Sequence, residues 1–286
     1  MSSQAAHWGR RWPAPAKLNL FLHVVGRRAD GYHLLQTAFR LIDRCDWLCF
    51  RAVTGSRVSL ALPLPGVAES DELCVRAACL LQSETGCRRG AEISVEKHIP
   101  MGGGLGGGSS DAATTLIALN ALWNLRLSRR RLAELGLSLG ADVPFFLFGK
   151  NAFGEGVGEK LQPLVLAPAW YVVLVPPVLV PTNEVFARAE LTGDTKSITI
   201  SSFSAGFGRN DLEPVVSRYY PAVAAHLAWL KAFGAARMSG SGACVFAEFP
   251  TEAQARAVVA GLPSEMRGFA ASGLDRHPLA ADPVES

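Results

Sequence analysis

Lys97-His98-Ile99-Pro100-Met101-Gly102-Gly103-Gly104-Leu105-Gly106-Gly107-Gly108-Ser109-Ser110-Asp111-Ala112-Ala113 is the stretch on which the reading of this chain turns. Glycine fills every position from 102 to 108 except Leu105, so backbone N–H groups can approach a bulky anion from several sides. Ser109, Ser110 and Asp111 are all good N-cap residues, and Ala112, Ala113, Leu116, Ile117, Leu119 and Ala121 follow at the spacing of a buried helix. The pattern predicts a helix over 111–122 whose N-terminus receives the loop. Unpaired amides and the positive end of the helix dipole favour phosphate there, by ~0.3–1 kcal/mol per charge near the surface. A flexible glycine linker is the bland alternative. Pro100 and Met101 before the run, and a capped apolar helix after it, argue against that.

Two familiar phosphate loops do not fit. Gly102, Gly104 and Gly107 satisfy G-x-G-x-x-G, but position 127, where a dinucleotide fold wants a ribose-binding acid, is Leu. A P-loop needs Gly-Lys-Ser/Thr, whereas Gly108 is followed by Ser109 with no lysine in the loop, and the protein-kinase motifs HRD and DFG are absent.

With 286 residues, 49% of them hydrophobic, the chain can bury one large core or two modest ones, and two lobes are expected. Lys and Arg number 28 against 25 Asp and Glu, for a net charge of +3, too balanced to point to nucleic acid or a bilayer. The arginine clusters Arg10-Arg11, Arg88-Arg89 and Arg129-Arg130-Arg131 read as solvated surface. The six cysteines show neither C-x-x-C pairs nor zinc spacing, so they read as buried free thiols in a reducing compartment, and no residue is assigned as a resident metal ligand. Residues 1 to 11 carry no apolar h-region, and the apolar run from Trp170 is broken by Pro176, Pro177 and Pro181. A cytoplasmic location without a membrane span is expected. Residues 1–11 and 277–286 read as poorly ordered ends.

Residues 14 to 25 alternate Leu18, Leu20 and Leu22 with Lys17, Asn19 and Phe21, as a strand with one buried face does. That sets Lys17 and Asn19 side by side, either as solvated polar residues of an edge strand or as part of a site. Arg28 to His33 is a turn ending in Tyr32 and His33, which can stack on or hydrogen-bond a planar ligand or simply lie on the surface. Strands follow at 37–51 and 56–62, then a loop through Pro63-Leu64-Pro65-Gly66, a helix opened by Ser70-Asp71-Glu72, and a strand at 91–97 that delivers the chain to the glycine loop. Ser128 caps a helix from Arg129 to Leu139. Asp142 is either the N-cap of the next helix or a functional acid, and taken alone the residues favour the cap. Residues 153 to 161 read as one glycine-bent strand near the ligand. Beyond 168 a strand at 170–175, a helix start at 182–189, a polar loop at 192–209, helices at 211–219 and 222–233, a Ser-Gly-Ser-Gly turn leading into a strand, a helix at 252–262 and a strand at 267–272 suggest a small α+β second lobe. In isolation that turn reads as a plain hairpin.

Together, Pro15-Ala16-Lys17-Leu18-Asn19-Leu20, the stretch from Pro100 to Ala113, and Ser239-Gly240-Ser241-Gly242-Ala243 resemble, in order, the three signature motifs of the GHMP kinase superfamily. Ala29-Asp30-Gly31-Tyr32-His33, Gly140-Ala141-Asp142-Val143-Pro144 and Gly154-Glu155-Gly156-Val157-Gly158 are similar to the branch that acts on a cytidine diphosphate-linked sugar alcohol in non-mevalonate isoprenoid synthesis. Six motifs in register over roughly 12 to 273 make a specific resemblance. It implies a two-lobed α+β fold, with a ribosomal-protein-S5-like lobe over 12–166, a ferredoxin-like lobe over 167–276 and the site in the cleft between them. It also implies ATP as phosphoryl donor with Mg²⁺, a small-molecule acceptor and a monomer or homodimer.

Carried over position by position, the resemblance gives Asp142 the acceptor hydroxyl's proton to take or orient. It places Lys17 beside Asp142, balancing its charge and that of the migrating phosphoryl group, and gives Asn19 the acceptor hydroxyls. His33 would read the cytosine edge, with Tyr32 packing on the base and Phe186 on its other face. Pro100, Met101, Gly102, Gly103, Gly104, Leu105, Gly106, Gly107, Gly108, Ser109 and Ser110 would wrap the ATP phosphates, the two hydroxyls near phosphate or Mg²⁺, with Lys97 on the nucleotide side. Gly240, Ser241 and Gly242 would close the site from the second lobe. One departure is Asp71-Glu72-Leu73, where the family often has Asp-Asn-Leu with the amide toward adenine; a carboxylate cannot donate that hydrogen bond. Alternatives are a homoserine- or mevalonate-type kinase of the same family, a non-catalytic nucleotide-binding regulator on the same fold, or a purely structural module. His33 with its aromatics disfavours the first, and Lys17 kept together with Asp142 and an intact glycine loop disfavours the other two.

Overall fold

A computed structural model describes residues 7–29, 31–64, 66–188, 194–203 and 207–280. Asp30, Pro65, the two ends and parts of the 192–209 loop lie outside the described residues. Strands β1 (Trp12–Arg27) and β2 (His33–Val53) form a long antiparallel pair. The register pairs Asn19 with Phe39 and then Phe21 with Ala38, so Leu20 is a bulge that breaks the simple alternation of β1. β1 is buried on both faces rather than one. Lys17 and Asn19 are therefore buried, which removes the reading of them as solvated polar residues, although among the described strands β1 pairs with β2 alone.

β2 is the spine of the sheet. It also pairs with β4 (Gly90–Glu96), β5 (Ala152–Gly156) and the end of β10 (Gly268–Leu274), while β3 (Val58–Leu60) adds parallel to β4. β10 continues onto β7 (Trp170–Leu174), which pairs with β9 (Val245–Phe249), and β9 with β8 (Arg237–Met238). The sheet thus runs without a break across both halves of the chain, with β10 as the shared strand. The expected bent strand at 153–161 is instead a hairpin of β5 and β6 (Lys160–Pro163), because the chain reverses through Val157, Gly158 and Glu159.

Helices α1 (Leu73–Thr85), α2 (Gly107–Leu122), α3 (Arg129–Leu137) and α4 (Val143–Phe148) cover the first half. A core of Trp12, Leu48, Leu116, Ile117 and Phe145 lies beneath them, with Phe39 stacked on Phe145 at 4.6 Å. α2 is buried nearly all round, as a helix without a polar face must be. Short α5 (Thr182–Phe186), then α6 (Glu213–Tyr219), α7 (Pro221–Lys231) and α8 (Glu252–Ala260) follow β7, and the core there includes Leu22 and Val24 of β1 with Val172, Leu227 and Val245. A third cluster, Leu18, Phe21, Leu105, Val173 and Phe246, joins the two.

The expected loose ends are in part packed. Leu279 is buried in the first core, Arg129 donates to its carbonyl, and Trp8 lies against the same core. His277 is buried with its Nδ1 accepting from Leu279 N at 3.0 Å, and burial, aided by Arg129, pushes its imidazole down to about 3. The unfolded chain takes up this proton near pH 6.5 and the folded chain does not, so stability falls as pH drops from ~6.5 towards ~3, by about 1.4 kcal/mol per pH unit from this group. Acid unfolding of His277→Asn is expected to be less steep than wild type in that window; equal slopes would remove His277 as its cause. The thiols also differ from expectation: all six are free, but Cys74 and Cys244 are buried while Cys79 is exposed.

Candidate active site

A cleft of about 1110 Å³ opens where β1, the glycine loop, α4, α5 and the 239–242 turn converge. Of the residues singled out in the sequence, only Leu105 and Ser110 do not line it. Leu105 faces the central core and offers its carbonyl to Lys17 N at 2.9 Å, and Ser110 is buried inside α2, so neither side chain reaches a ligand.

The helix after the loop begins at Gly107, not at 111, because Gly106 takes the left-handed conformation (φ 73°) at the N-cap position. Its first internal bond runs from Ser110 N to Gly106 O at 2.8 Å. The amides of Gly107, Gly108 and Ser109 consequently have no partner inside the helix, and all three residues line the cleft. This is an anion site made of backbone. Ser109, Ser110 and Asp111 are not the caps their residue types suggest.

Asp142 occupies the N-cap position of α4 but makes no capping hydrogen bond. Its Oδ2 instead meets Lys17 Nζ at 3.1 Å, with the lysine side chain 4% and the aspartate side chain 30% exposed. Lys17 Nζ also donates to Asn19 Oδ1 at 2.5 Å, and Asn19 Nδ2 donates to Thr37 Oγ1 at 2.9 Å. A row of side chains on β1 and β2 thus aims the ammonium at Asp142, a carboxylate still open to solvent and to a substrate.

Elsewhere in the cleft the His33 and Phe186 rings lie 5.3 Å apart, tilted by 33°. Burial, and then Arg27, pull the His33 imidazole below its ordinary value, so the neutral ring, with one donor and one acceptor, is favoured. Tyr32 is 66% exposed at the rim.

Known proteins are similar to this chain in sequence and fold. The sequence model for the GHMP kinases N terminal domain matches residues 72–150, and that for the GHMP kinases C terminal region matches 193–268. A Nitrosospira multiformis protein named 4-diphosphocytidyl-2-C-methyl-D-erythritol kinase is 61% identical over 270 residues, covering 93% of this chain and 92% of its own. The chain belongs to the GHMP kinase family. A protein of the same name from Thiobacillus denitrificans is 60% identical, covering 94% of this chain and 96% of its own. A crystal structure of 4-(cytidine 5'-diphospho)-2C-methyl-D-erythritol kinase superposes on this GHMP kinase with a TM-score of 0.80 at 37% identity, covering 92% of this chain and 99% of that one. Homoserine kinase from Cytophaga hutchinsonii, at 17% identity and a TM-score of 0.69 over 93% and 94% of the two chains, shares the fold.

Asp46 escaped the sequence reading of this GHMP kinase site, and so did the partners of Lys97, Asp111 and Glu72. Asp46 is fully buried, accepts from His98 N at 2.5 Å and Ile99 N at 2.7 Å, and pairs with Lys97. Lys97 also donates to Asp111 Oδ2 at 2.7 Å. Burial draws the Lys97 ammonium down, but Asp111 and Asp46 outweigh it and hold it above its ordinary value. Burial pushes the Asp111 carboxyl up, against the pull of Lys97 and with the push of Asp46. Lone acids on a strand and inside a helix carry no sequence signal for such a knot. Glu72 is buried at the cleft wall, and its Oε2 caps α1 by accepting from Cys74 N at 2.7 Å and Val75 N at 3.2 Å. A helix-capping role therefore accounts for the acid at this position. Leu64, Val67, Leu73 and Met101 are among the apolar residues that line the cleft.

The two glycine segments dock on each other. Ser239 Oγ donates to Gly104 O at 3.0 Å, and Cys244 N donates to Gly103 O at 3.0 Å. A Cβ on Gly104 would lie 2.1 Å from Ser239 O, and one on Gly103 would lie 2.6 Å from Cys244 Sγ. Gly103 and Gly104 thus serve loop-to-loop approach, whereas Gly106 to Gly108 form the helix entry. The Ser-Gly-Ser-Gly turn is both the connection of an antiparallel β8–β9 pair and a wall of the cleft.

Proposed function

We infer that this GHMP kinase transfers the γ-phosphoryl group of ATP to the 2-hydroxyl of 4-diphosphocytidyl-2-C-methyl-D-erythritol, a step of non-mevalonate isoprenoid precursor synthesis. The single observation that carries the chemistry is the Lys17–Asp142 pair, 3.1 Å apart in the same cleft as the open amides of Gly107 to Ser109. In the reaction the acceptor oxygen forms a bond to Pγ, the bond from Pγ to the bridging β,γ-oxygen breaks, and ADP leaves. The hydroxyl proton passes to Asp142, and Lys17 offsets negative charge on the group in transit. Because phosphoryl transfer is mostly positioning and charge stabilisation, Asn19 and Thr37 contribute by fixing the ammonium. Pro100 to Gly104 and Gly106 to Ser109 wrap the phosphates, and Gly240 to Gly242 border them from the second half of the chain.

Mg²⁺ is expected to arrive with the nucleotide. Asp111 Oδ1 is buried without a hydrogen-bond partner, and Asp111 and Ser109 both line the cleft, so hard oxygen donors for a phosphate-bound Mg²⁺ are present. The ion would neutralise phosphate charge there. Among the described residues no helix is long and apolar enough to cross a membrane, and six free thiols suit a reducing cytoplasm.

The cytidine end is assigned to His33, Tyr32 and Phe186. His33→Ala is expected to raise KM for the cytidylated substrate about tenfold or more while leaving KM for ATP near wild type. With its titration displaced downward, substrate KM is expected to stay flat above pH ~6.5 and to rise only on acidification. An unchanged KM would remove His33 from recognition. The whole reading is tested by ADP release with ATP and Mg²⁺ in the presence of the cytidylated substrate, homoserine or mevalonate in parallel. ADP with the first alone is expected; ADP with one of the others instead, or with none, would overturn it.

A further inference from the structure

Asn210 precedes α6 and has no part in the chemistry above. It is only 2% exposed, and every hydrogen-bonding group of its amide is engaged. Nδ2 donates to Met238 O at 2.8 Å and to Gly240 O at 2.7 Å, and Oδ1 accepts from Leu212 N at 2.9 Å. Its neighbours fasten the 209–211 segment to β1: Leu22 N donates to Arg209 O at 3.0 Å, Asp211 N to Leu22 O at 2.8 Å, and Val24 N to Asp211 Oδ2 at 2.8 Å. Between the two carbonyls held by Asn210 lies Ser239, fully buried. Its hydroxyl accepts from Asn19 N at 3.2 Å and donates to Gly104 O at 3.0 Å.

We propose that Asn210 is a positioning residue for phosphoryl transfer: by gripping the Met238 and Gly240 carbonyls it sets the bend that lodges the Ser239 hydroxyl between Asn19 and Gly104. The strand that carries Lys17 and the glycine loop are thereby locked in one register. This rests on the kinase reading of the cleft. An amide suits the task, since it offers two donors to two carbonyls and keeps an acceptor for Leu212 N. A carboxylate of the same shape offers acceptors alone and faces two carbonyl oxygens until it is protonated. Burial among carbonyls favours the protonated form, so the defect in N210D is expected to depend on pH.

The test uses the full chain as wild type, N210D, N210A and S239A, with kcat and both KM values measured from pH ~6 to pH ~8 and melting temperatures alongside. At pH ~8 the kcat of N210D is expected about 100-fold below wild type, the deficit shrinking about tenfold toward pH ~6, while that of N210A stays constant with pH. S239A is expected to lose about tenfold in kcat with ATP binding retained. N210D within about threefold of wild type at pH ~8, or a deficit unchanged by pH, overturns the proposal, because a purely architectural defect would not follow a proton. Should N210D not fold, S239A decides: reduced kcat with ATP bound supports the latch, and normal kcat overturns it. A silent wild type would sink the kinase reading itself, whereas an active wild type with indifferent variants sinks only the role of Asn210.

Discussion

Asp142→Asn is expected to lower kcat by about 10³-fold while KM for ATP and the melting temperature stay close to wild type. The side chain makes no capping bond to α4, and its ion pair with Lys17 lies where solvent still reaches the carboxylate. The carboxylate's own exposure limits the stability that rests on its charge, while the buried Lys17 ammonium keeps Asn19 Oδ1 as a partner when that charge is removed. The amide keeps the shape and one oxygen toward Lys17 but cannot accept the proton that leaves the acceptor hydroxyl. Lys17 remains held by Asn19, so the ground-state geometry survives. Steady-state kinetics with calorimetric unfolding check both halves of the expectation. A kcat within about threefold of wild type would take Asp142 out of proton transfer and leave it only an orienting role.

Gly104→Ala is expected to act through the frame instead. Gly104 sits at φ 74°, and an added Cβ would lie 2.1 Å from Ser239 O and 3.0 Å from Gly242 O, both backbone atoms that cannot swing aside. Left-handed strain of about 1 kcal/mol adds to the clash, and relief requires the two glycine segments to part. A stability loss of roughly 2–4 kcal/mol is expected, with kcat falling at least about 100-fold as the glycine loop and the 239–242 turn are driven apart, beyond the loss of the Ser239 bridge alone. Gly108→Ala is the control. Its added methyl would meet only the flexible end of Leu73, at 3.3 Å, so unfolding should be little changed while ATP binding weakens. Equal unfolding midpoints for Gly104→Ala and wild type would refute the docking role of Gly104.

The division of labour among these glycines was not legible in the sequence. Six glycines around Leu105 announce a loop that backbone must approach closely, but not what approaches it. The order strand, glycine loop, helix was readable, because β4 alternates and α2 is apolar throughout. The helix start was misplaced by four residues, since residue types favoured Ser and Asp as caps while the fold used a left-handed glycine and buried Ser110 and Asp111. The Lys17–Asn19 adjacency followed from period two, but the burial of both faces of β1 did not, because it depends on the second half of the chain folding back over it. Asp142 read as a cap for the same local reason, and only Lys17, 125 positions earlier in the sequence, reveals its other partner. Asp46 and Asn210 were invisible, being single polar residues whose meaning lies in long-range partners. Local chemistry is written in the sequence in short motifs; the register between distant motifs is set by packing.

The measurement that bears most directly on the central claim is phosphorus NMR of wild-type enzyme turning over ATP, Mg²⁺ and the cytidylated substrate. A new phosphomonoester resonance growing in step with ADP, with the substrate's own diphosphate signals intact, is the expected result. Loss of those diphosphate signals, or inorganic phosphate appearing in place of the monoester, would contradict transfer from ATP to a substrate hydroxyl in this cleft.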